Sequence, residues 1–358
     1  MIKRIGNIYE QQEKNDWLTV LLVVIFILYY LIIGYGTDVF MFGNDLFGLV
    51  HPASEKPPYA TIVALLFSGA YVIYVLYRGD NIILKSVSMA RVWNYDEMMG
   101  GKIIENIERD DAANKPIVNL VHEMSLAAGV TMPAIYIVYD TDPNAFSTGR
   151  DPWHASIALT TGLLKKLNRA ELQAVIAHEM AHIRNYDTRL MMLMATLIGG
   201  STLLSAYAGG RWIQSIGMVR KVLLIGRATV FFPLWVGMVV IAPLVSWFMT
   251  ILVSHTREYQ ADATAAELTR NPRAMLSALE KLEMFSGATR SINSSICHLC
   301  VIDPMGKYMQ IEDESIFQGA LFDTHPPMEK RLAALKEMAF LYQATGKFVL
   351  DESLSSRK

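Results

Sequence analysis

Cysteine is nearly missing: the chain has two, Cys297 and Cys300, three positions apart. That spacing excludes a disulfide framework and fits a reducing compartment. Charge is scarce as well. Asp, Glu, Lys and Arg make up 18% of the 358 residues, where a soluble globular chain carries about a quarter. The net charge is only −2, so there is no basic excess to attract nucleic acid. Internal repeats and low-complexity tracts are absent too.

What the chain has instead is apolar residues, 52% of the total. A helix needs about 20 apolar residues to cross a bilayer. Four runs approach this: Trp17 to Tyr35, Tyr59 to Tyr77, Leu190 to Ala208 and Ala228 to Val253. The first two contain no charge and carry tyrosines near their ends, where rings favour the interface. The third has Gly199, Gly200 and Ser201 in its middle, which permits close helix packing, and the fourth is interrupted by Pro233 and Pro243. The first run is longer than the apolar core of a cleaved signal and no small-residue cleavage pattern follows it, so it reads as a retained anchor.

Basic residues orient the first pair. Lys3, Arg4 and Lys14 precede it, and Arg78, Lys85 and Arg91 follow it, while the loop between holds Lys56 alone. The positive-inside rule puts both ends of this hairpin in the cytosol. The loop between runs three and four carries Arg211, Arg220, Lys221 and Arg227 and no acid. This basic loop breaks the rule if both runs cross fully, and the alternative is that they stay partly interfacial.

The expected fold class is an α-helical membrane protein with a mixed α+β domain and up to four transmembrane helices. The divisions are 1–78, a transmembrane hairpin; 79–189, the first part of the α+β domain; 190–253, a second pair of spans; and 254–358, the second part of that domain. Within the first part, Ala134 to Tyr139 and Ser156 to Thr161 read as strands, and Asp142-Pro143-Asn144 as a turn. A helix begins at Asn168, with Glu171 three positions on completing a capping-box pattern.

That helix carries His178-Glu179-Met180-Ala181-His182. Histidines four apart on a helix share one face, so both imidazoles can reach one metal ion. Glu179 stands about 100° round from His178, placed to bond a metal-bound water rather than the metal. A catalytic zinc has three protein ligands and an open position. The third is sought among His154, His255, His298, His325 and several acids, and the best candidate is Glu258, in Arg257-Glu258-Tyr259-Gln260-Ala261-Asp262. Asp262, one helical turn on, is placed to orient a ligand histidine. Two imidazoles and a carboxylate select zinc over calcium or magnesium.

The chain resembles the HtpX family of membrane zinc metallopeptidases, relatives of the CAAX prenyl proteases. The resemblance rests on the N-terminal hairpin, Asp142 to Gly149 (DPNAFSTG), the pentad, two further apolar runs, the Glu258 to Asp262 motif and Thr324-His325-Pro326-Pro327. It implies a gluzincin-type endopeptidase in the bacterial inner membrane that cleaves misfolded or surplus membrane proteins at the cytosolic face under stress. It also implies one zinc per chain held by His178, His182 and Glu258, with Asp262 orienting and Glu179 activating the attacking water. Asn144, with Ala145, Phe146 and Ser147, matches the edge that holds the substrate backbone, and His325 matches a residue that stabilises the developing oxyanion. Expected partners are protein or peptide substrates and the lipid bilayer. His255 stands where the family often has arginine, which keeps it as an alternative third ligand. The stretch from Ser286 to Leu321 matches poorly and contains Cys297-His298-Leu299-Cys300, a possible second metal site. Self-cleavage or occlusion by this stretch would restrain a protease facing the cytosol. The rival readings are a processing protease for a defined, prenylated substrate and a non-catalytic metal-binding scaffold.

Overall fold

The structure, a computed structural model, describes residues 8–45, 47, 56–87, 89–93, 111–197, 256–285, 297–302 and 326–345. They fall into two units, one drawn from Met1–Trp17, Arg78–Ala195 and Val253–Lys358, the other from Leu18–Tyr77 and Thr196–Leu252.

The second unit is built on the uncharged runs. Helix α1 spans Ile8–Phe42 and α2 spans Tyr59–Lys85, both longer than the runs that seeded them. Their most apolar windows have mean hydropathies of 2.7 and 2.0, yet only 22% and 17% of those windows is buried. A core helix would be mostly buried, so length, composition and exposure together favour lipid around these helices. Val20, Val24, Leu28 and Ile32 recur every four residues and are exposed, forming an outward stripe on α1. The two helices meet through Tyr30 on Phe67 and Phe26 on Tyr71. Gly34 permits this approach, since a Cβ there would stand 2.8 Å from the Ala64 side chain. Asp38 accepts from the Ala60 and Thr61 amides at 3.0 and 2.8 Å, an acid at the N-terminus of α2 where unpaired amides and the helix dipole favour it.

In the first unit, helix α3 (Asp111–Ala128) leads to a four-stranded sheet. Its strands are β1 (Met89–Trp93), β2 (Ala134–Val138), β3 (Ala145–Gly149) and β4 (Ala155–Thr160), in the order β1-β2-β4-β3. β2 and β4 run parallel; the β1–β2 and β3–β4 pairs are antiparallel. Every residue of β4, and of β2 after Ala134, is buried, as expected of interior strands covered on both faces. The two sequence-read strands match β2 and β4 to within a residue at each end. β3 lies at the border of the sheet. Gly149 ends it at φ +145°, and a Cβ there would meet the His154 carbonyl at 2.3 Å, so only glycine fits.

Helices α4 (Thr161–Lys166), α5 (Arg169–Arg184), α6 (Thr256–Thr269), α7 (Pro272–Phe285) and α8 (Met328–Thr345) complete the described elements. The core joins Ile135, Ile157 and Leu159 of the sheet to Val175, Ile176 and Ile183 of α5 and to Met275 and Leu279 of α7. Residues 187–197 are helical, and Leu190, Met192 and Leu193 at the start of the third apolar run are buried. The rest of that run and all of the fourth lie outside the described residues.

Candidate metal centre

Helix α5 begins as its sequence prescribes. Asn168 accepts from the Glu171 amide at 3.0 Å and Glu171 accepts from the Asn168 amide at 2.9 Å, closing the capping box. Glu171 also accepts from Ser277 Oγ at 2.6 Å and Lys281 Nζ at 2.7 Å, tying the start of α5 to α7. Burial raises the Glu171 pKa, but Lys281, Ser277 and the Asn168 amide outweigh it and hold the carboxyl below its ordinary range. Two turns on, α5 delivers His178, Glu179 and His182 to the interior, all buried.

Helix α6 packs along α5 and brings Glu258 to the two histidines. The Nε2 atoms of His178 and His182 are 3.1 Å apart, and each lies 3.6 Å from a Glu258 oxygen. A tetrahedral zinc bonded at about 2.0–2.1 Å sets its ligand atoms about 3.3 Å apart, so this triangle has the right size. The outer nitrogens agree with that reading. His178 Nδ1 lies 3.0 Å from Asp262 Oδ1, and His182 Nδ1 lies 2.9 Å from Asp187 Oδ2. Asp187 bonded to His182 Nδ1 and Asp262 beside His178 Nδ1 favour protons on those atoms, leaving both Nε2 lone pairs aimed at one point beside a carboxylate. Three donors converging in a buried place repel one another unless a cation sits among them. Among the described residues, His178, His182 and Glu258 are the group of three that offers a metal its ligand atoms.

Electrostatics around the group are strong. Without a cation, burial lowers the His178 pKa, but hydrogen bonds to Asp262 and Glu258 outweigh it and push it up to about 9. Glu179 is raised, chiefly by burial, with His178 and His182 partly offsetting this. Its Oε2 accepts from Ser147 Oγ of β3 at 2.5 Å, and its Oε1 is buried with no hydrogen-bond partner. Behind the ligands, Arg331 of α8 is fully buried. It donates to both oxygens of Asp262 at 2.7 and 2.8 Å, and its Nη1 lies 3.3 Å from Glu258. Burial raises the Asp262 pKa, yet this guanidinium holds it below its ordinary range.

The model of peptidase family M48 matches residues 111–339, which contain all of these groups. Relatives matching nearly end to end are each named Protease HtpX homolog. One from Caldanaerobacter subterraneus is 34% identical over 340 residues, covering 94% of this chain and 99% of its own. One from Limosilactobacillus reuteri is 32% identical over 337 residues, 92% of this chain and 100% of its own. One from Streptococcus pyogenes serotype M3 is 31% identical over 335 residues, with 92% and 100% covered. The chain belongs to the HtpX family of M48 peptidases. It is therefore a metalloprotease, and the two long apolar helices agree with a membrane member of the family.

The other expected HtpX site residues fall in different places. Asn144 leads into β3 and is buried; its Nδ2 donates to the Ile302 carbonyl at 2.8 Å and its Oδ1 accepts from the Ala145 amide at 3.0 Å. The outer edge of β3, expected to hold substrate, is paired with the chain itself. The Val301 amide donates to the Ala145 carbonyl at 3.0 Å, and Phe146 and Cys300 form an antiparallel bridge. Arg331 Nη1 donates to the Val301 carbonyl at 2.8 Å, fastening the same segment. His298, once a candidate ligand, is buried with its Nε2 3.3 Å from the Met191 carbonyl. With Ser147, His182 and Glu258 it lines a cavity of about 10 Å³, room for about one water. His154 lies apart, on an exposed turn beside Asp151. His325 and His255 lie outside the described residues.

Sequence reasoning missed Asp187, Arg331 and the bond from Ser147 to Glu179. Asp187 comes within reach because α5 ends abruptly: Tyr186 takes a left-handed φ of 60° and turns the chain back. Glycine or asparagine is the usual marker for such a turn, and Tyr186 gives no such sign.

Proposed function

We propose that this HtpX-family protein is a zinc endopeptidase that hydrolyses peptide bonds of misfolded or surplus membrane proteins at the cytosolic face. The observation that carries this is the convergence of two imidazoles and one carboxylate beside a buried, unpartnered oxygen of Glu179. Zinc, when bound, polarises the scissile carbonyl and makes water nucleophilic near neutral pH. His178, His182 and Glu258 hold it, and Asp262 and Asp187 keep the imidazoles in the tautomer that presents Nε2.

Glu179 Oε1 takes the proton of the attacking water and then delivers it to the leaving amine. Ser147 holds the other oxygen and so fixes the direction in which Oε1 points. The substrate adds as an extended strand along β3, with Asn144 and the Ala145 carbonyl bonding its backbone as they now bond residues 301 and 302. Backbone bonds read little sequence, which suits a protease of many unfolded substrates. The segment around Cys300 now holds the edge of β3 that the substrate takes in this reading, so it gives way before substrate binds. His325 is assigned to the oxyanion on the family resemblance alone.

The 79–189 and 254–358 parts make one gluzincin-type catalytic domain in this reading, held to the bacterial inner membrane by the hairpin of α1 and α2 and by a second pair of spans. The deciding experiment is cleavage of casein by detergent-purified, zinc-loaded protein. Glu179→Gln should keep zinc at one per chain and lose roughly 10²- to 10⁴-fold in rate. Equal cleavage by both proteins would place the chemistry elsewhere.

A further inference from the structure

The amino-terminal stem of α1 touches the metal centre at one point. Asn15 is two residues before the uncharged run and is 4% exposed. Its Nδ2 donates both hydrogens, one to Asp187 Oδ1 at 2.7 Å and one to the Asn185 carbonyl at 2.9 Å. The other Asp187 oxygen faces His182 Nδ1 at 2.9 Å. Asp187 is itself 2% exposed, and Arg257 stands off at 3.7 Å. Among the described residues, this buried carboxylate has one oxygen on the imidazole and takes its close donor to the other from Asn15.

We infer that Asn15 is a positioning residue for the metal ligand His182, acting through Asp187, so that the amino-terminal stem of α1 is part of the metal centre. The chemistry follows from how such shells behave. A carboxylate that receives a ligand imidazole's outer N–H orients the ring and makes its other nitrogen a better donor. Orientation holds only if the carboxylate cannot rotate. The Asn15 amide pins Asp187 Oδ1 while its second hydrogen anchors to the backbone of the same turn, at Asn185. A charge-assisted bond of this kind is roughly twice as strong as a neutral one. Two neighbours supply ordinary attachment: Gln12 Nε2 donates to the Arg184 carbonyl at 2.7 Å, and Asp16 pairs with Arg189. These hold the stem to the last residue of α5 and to the helical stretch after it without bonding Asp187, so docking and positioning are separable.

The inference rests on His182 being a metal ligand, and its test keeps the two apart. Zinc affinity of the detergent-solubilised full chain is measured by competition with a chromophoric chelator, with no substrate present. Wild type should bind one zinc and His182→Ala should lose it; a wild type that binds none overturns the function proposed above and this inference with it. Asn15→Leu, similar in shape but without a donor, should weaken zinc binding about tenfold, the low end of what outer-shell changes cost. Gln12→Leu should stay within about twofold of wild type, as a bond that does not reach Asp187 predicts. Adding Asn15→Leu to Asp187→Asn should cause no further loss. Unchanged affinity in Asn15→Leu, or equal losses in Asn15→Leu and Gln12→Leu, overturns the inference, the second by showing general docking. Asn15→Ala serves if the leucine is not accommodated, with helical content by circular dichroism as the folding check for each variant.

Discussion

Arg331 is the residue on which the buried charges balance. Asp262, Glu258 and the two histidines are buried, and a carboxylate left there alone costs several kcal/mol. Arg331 meets Asp262 with two parallel bonds and stands 3.3 Å from Glu258. Replacing it with methionine keeps an apolar stem and removes the guanidinium that meets Asp262 and Glu258. Thermal unfolding in detergent should show a loss equivalent to about 3–5 kcal/mol, because one partner of a buried pair has been removed. The double change Arg331→Met with Asp262→Asn should recover part of this, since Glu258 is then the one carboxylate of the two left without the guanidinium. A single change as stable as wild type would mean that water reaches Asp262. Zinc affinity should fall in both variants, because His178 loses its fixed partner in one and its charged partner in the other.

Two elements carry their own predictions, and they differ in how far sequence foretold them. The start of α5 was legible because a capping box is local: Asn168 and Glu171 are three apart and need no distant partner. What sequence could not show is that Ser277 and Lys281 of α7 use the same carboxylate. The folded-state pKa of Glu171 is depressed, so its contribution is present above the ordinary glutamate value, about 4.3, and is lost as pH falls through the lower folded value. Glu171→Gln should therefore melt below wild type at pH 7, and the gap should close as acid titrates the wild-type carboxylate; a gap that widens in acid would refute this. The segment 297–302 is the opposite case. Nothing in Cys300-Val301-Ile302 announces a strand partner, because the pairing with β3 spans more than 150 residues and was set by tertiary contact. Val301→Pro removes the amide that bonds the Ala145 carbonyl. If this segment occupies the substrate's place, losing a bond worth about 1 kcal/mol should raise the casein rate about fivefold with zinc affinity unchanged. An unchanged rate would make it a permanent strand and move the substrate to another edge.

At the scale of the molecule, the metal ligands come from both sides of the third and fourth apolar runs: His178 and His182 precede them and Glu258 follows. The spacing of the pentad and the helix that bears it were readable because both are periodic and local, and the third ligand because it begins the element after a long apolar run. For one site to form, the chain must return to the side it left, so an even number of crossings separates α5 from α6. The orientation of that side rests on charge. Lys14 on the stem of α1 and Lys56, three residues before α2, are both exposed. Basic residues cluster on the stem and after α2, and by the positive-inside rule the orientation we propose has the stem, with Asn15 and the metal centre, in the cytosol. A cysteine at position 56 should react with a membrane-impermeant maleimide added to intact cells, and a cysteine at position 14 only after the membrane is opened, each compared with the unsubstituted chain. The reverse pattern would turn the site outward, away from the cytosolic parts of any substrate, and with it the proposed quality-control role would fail.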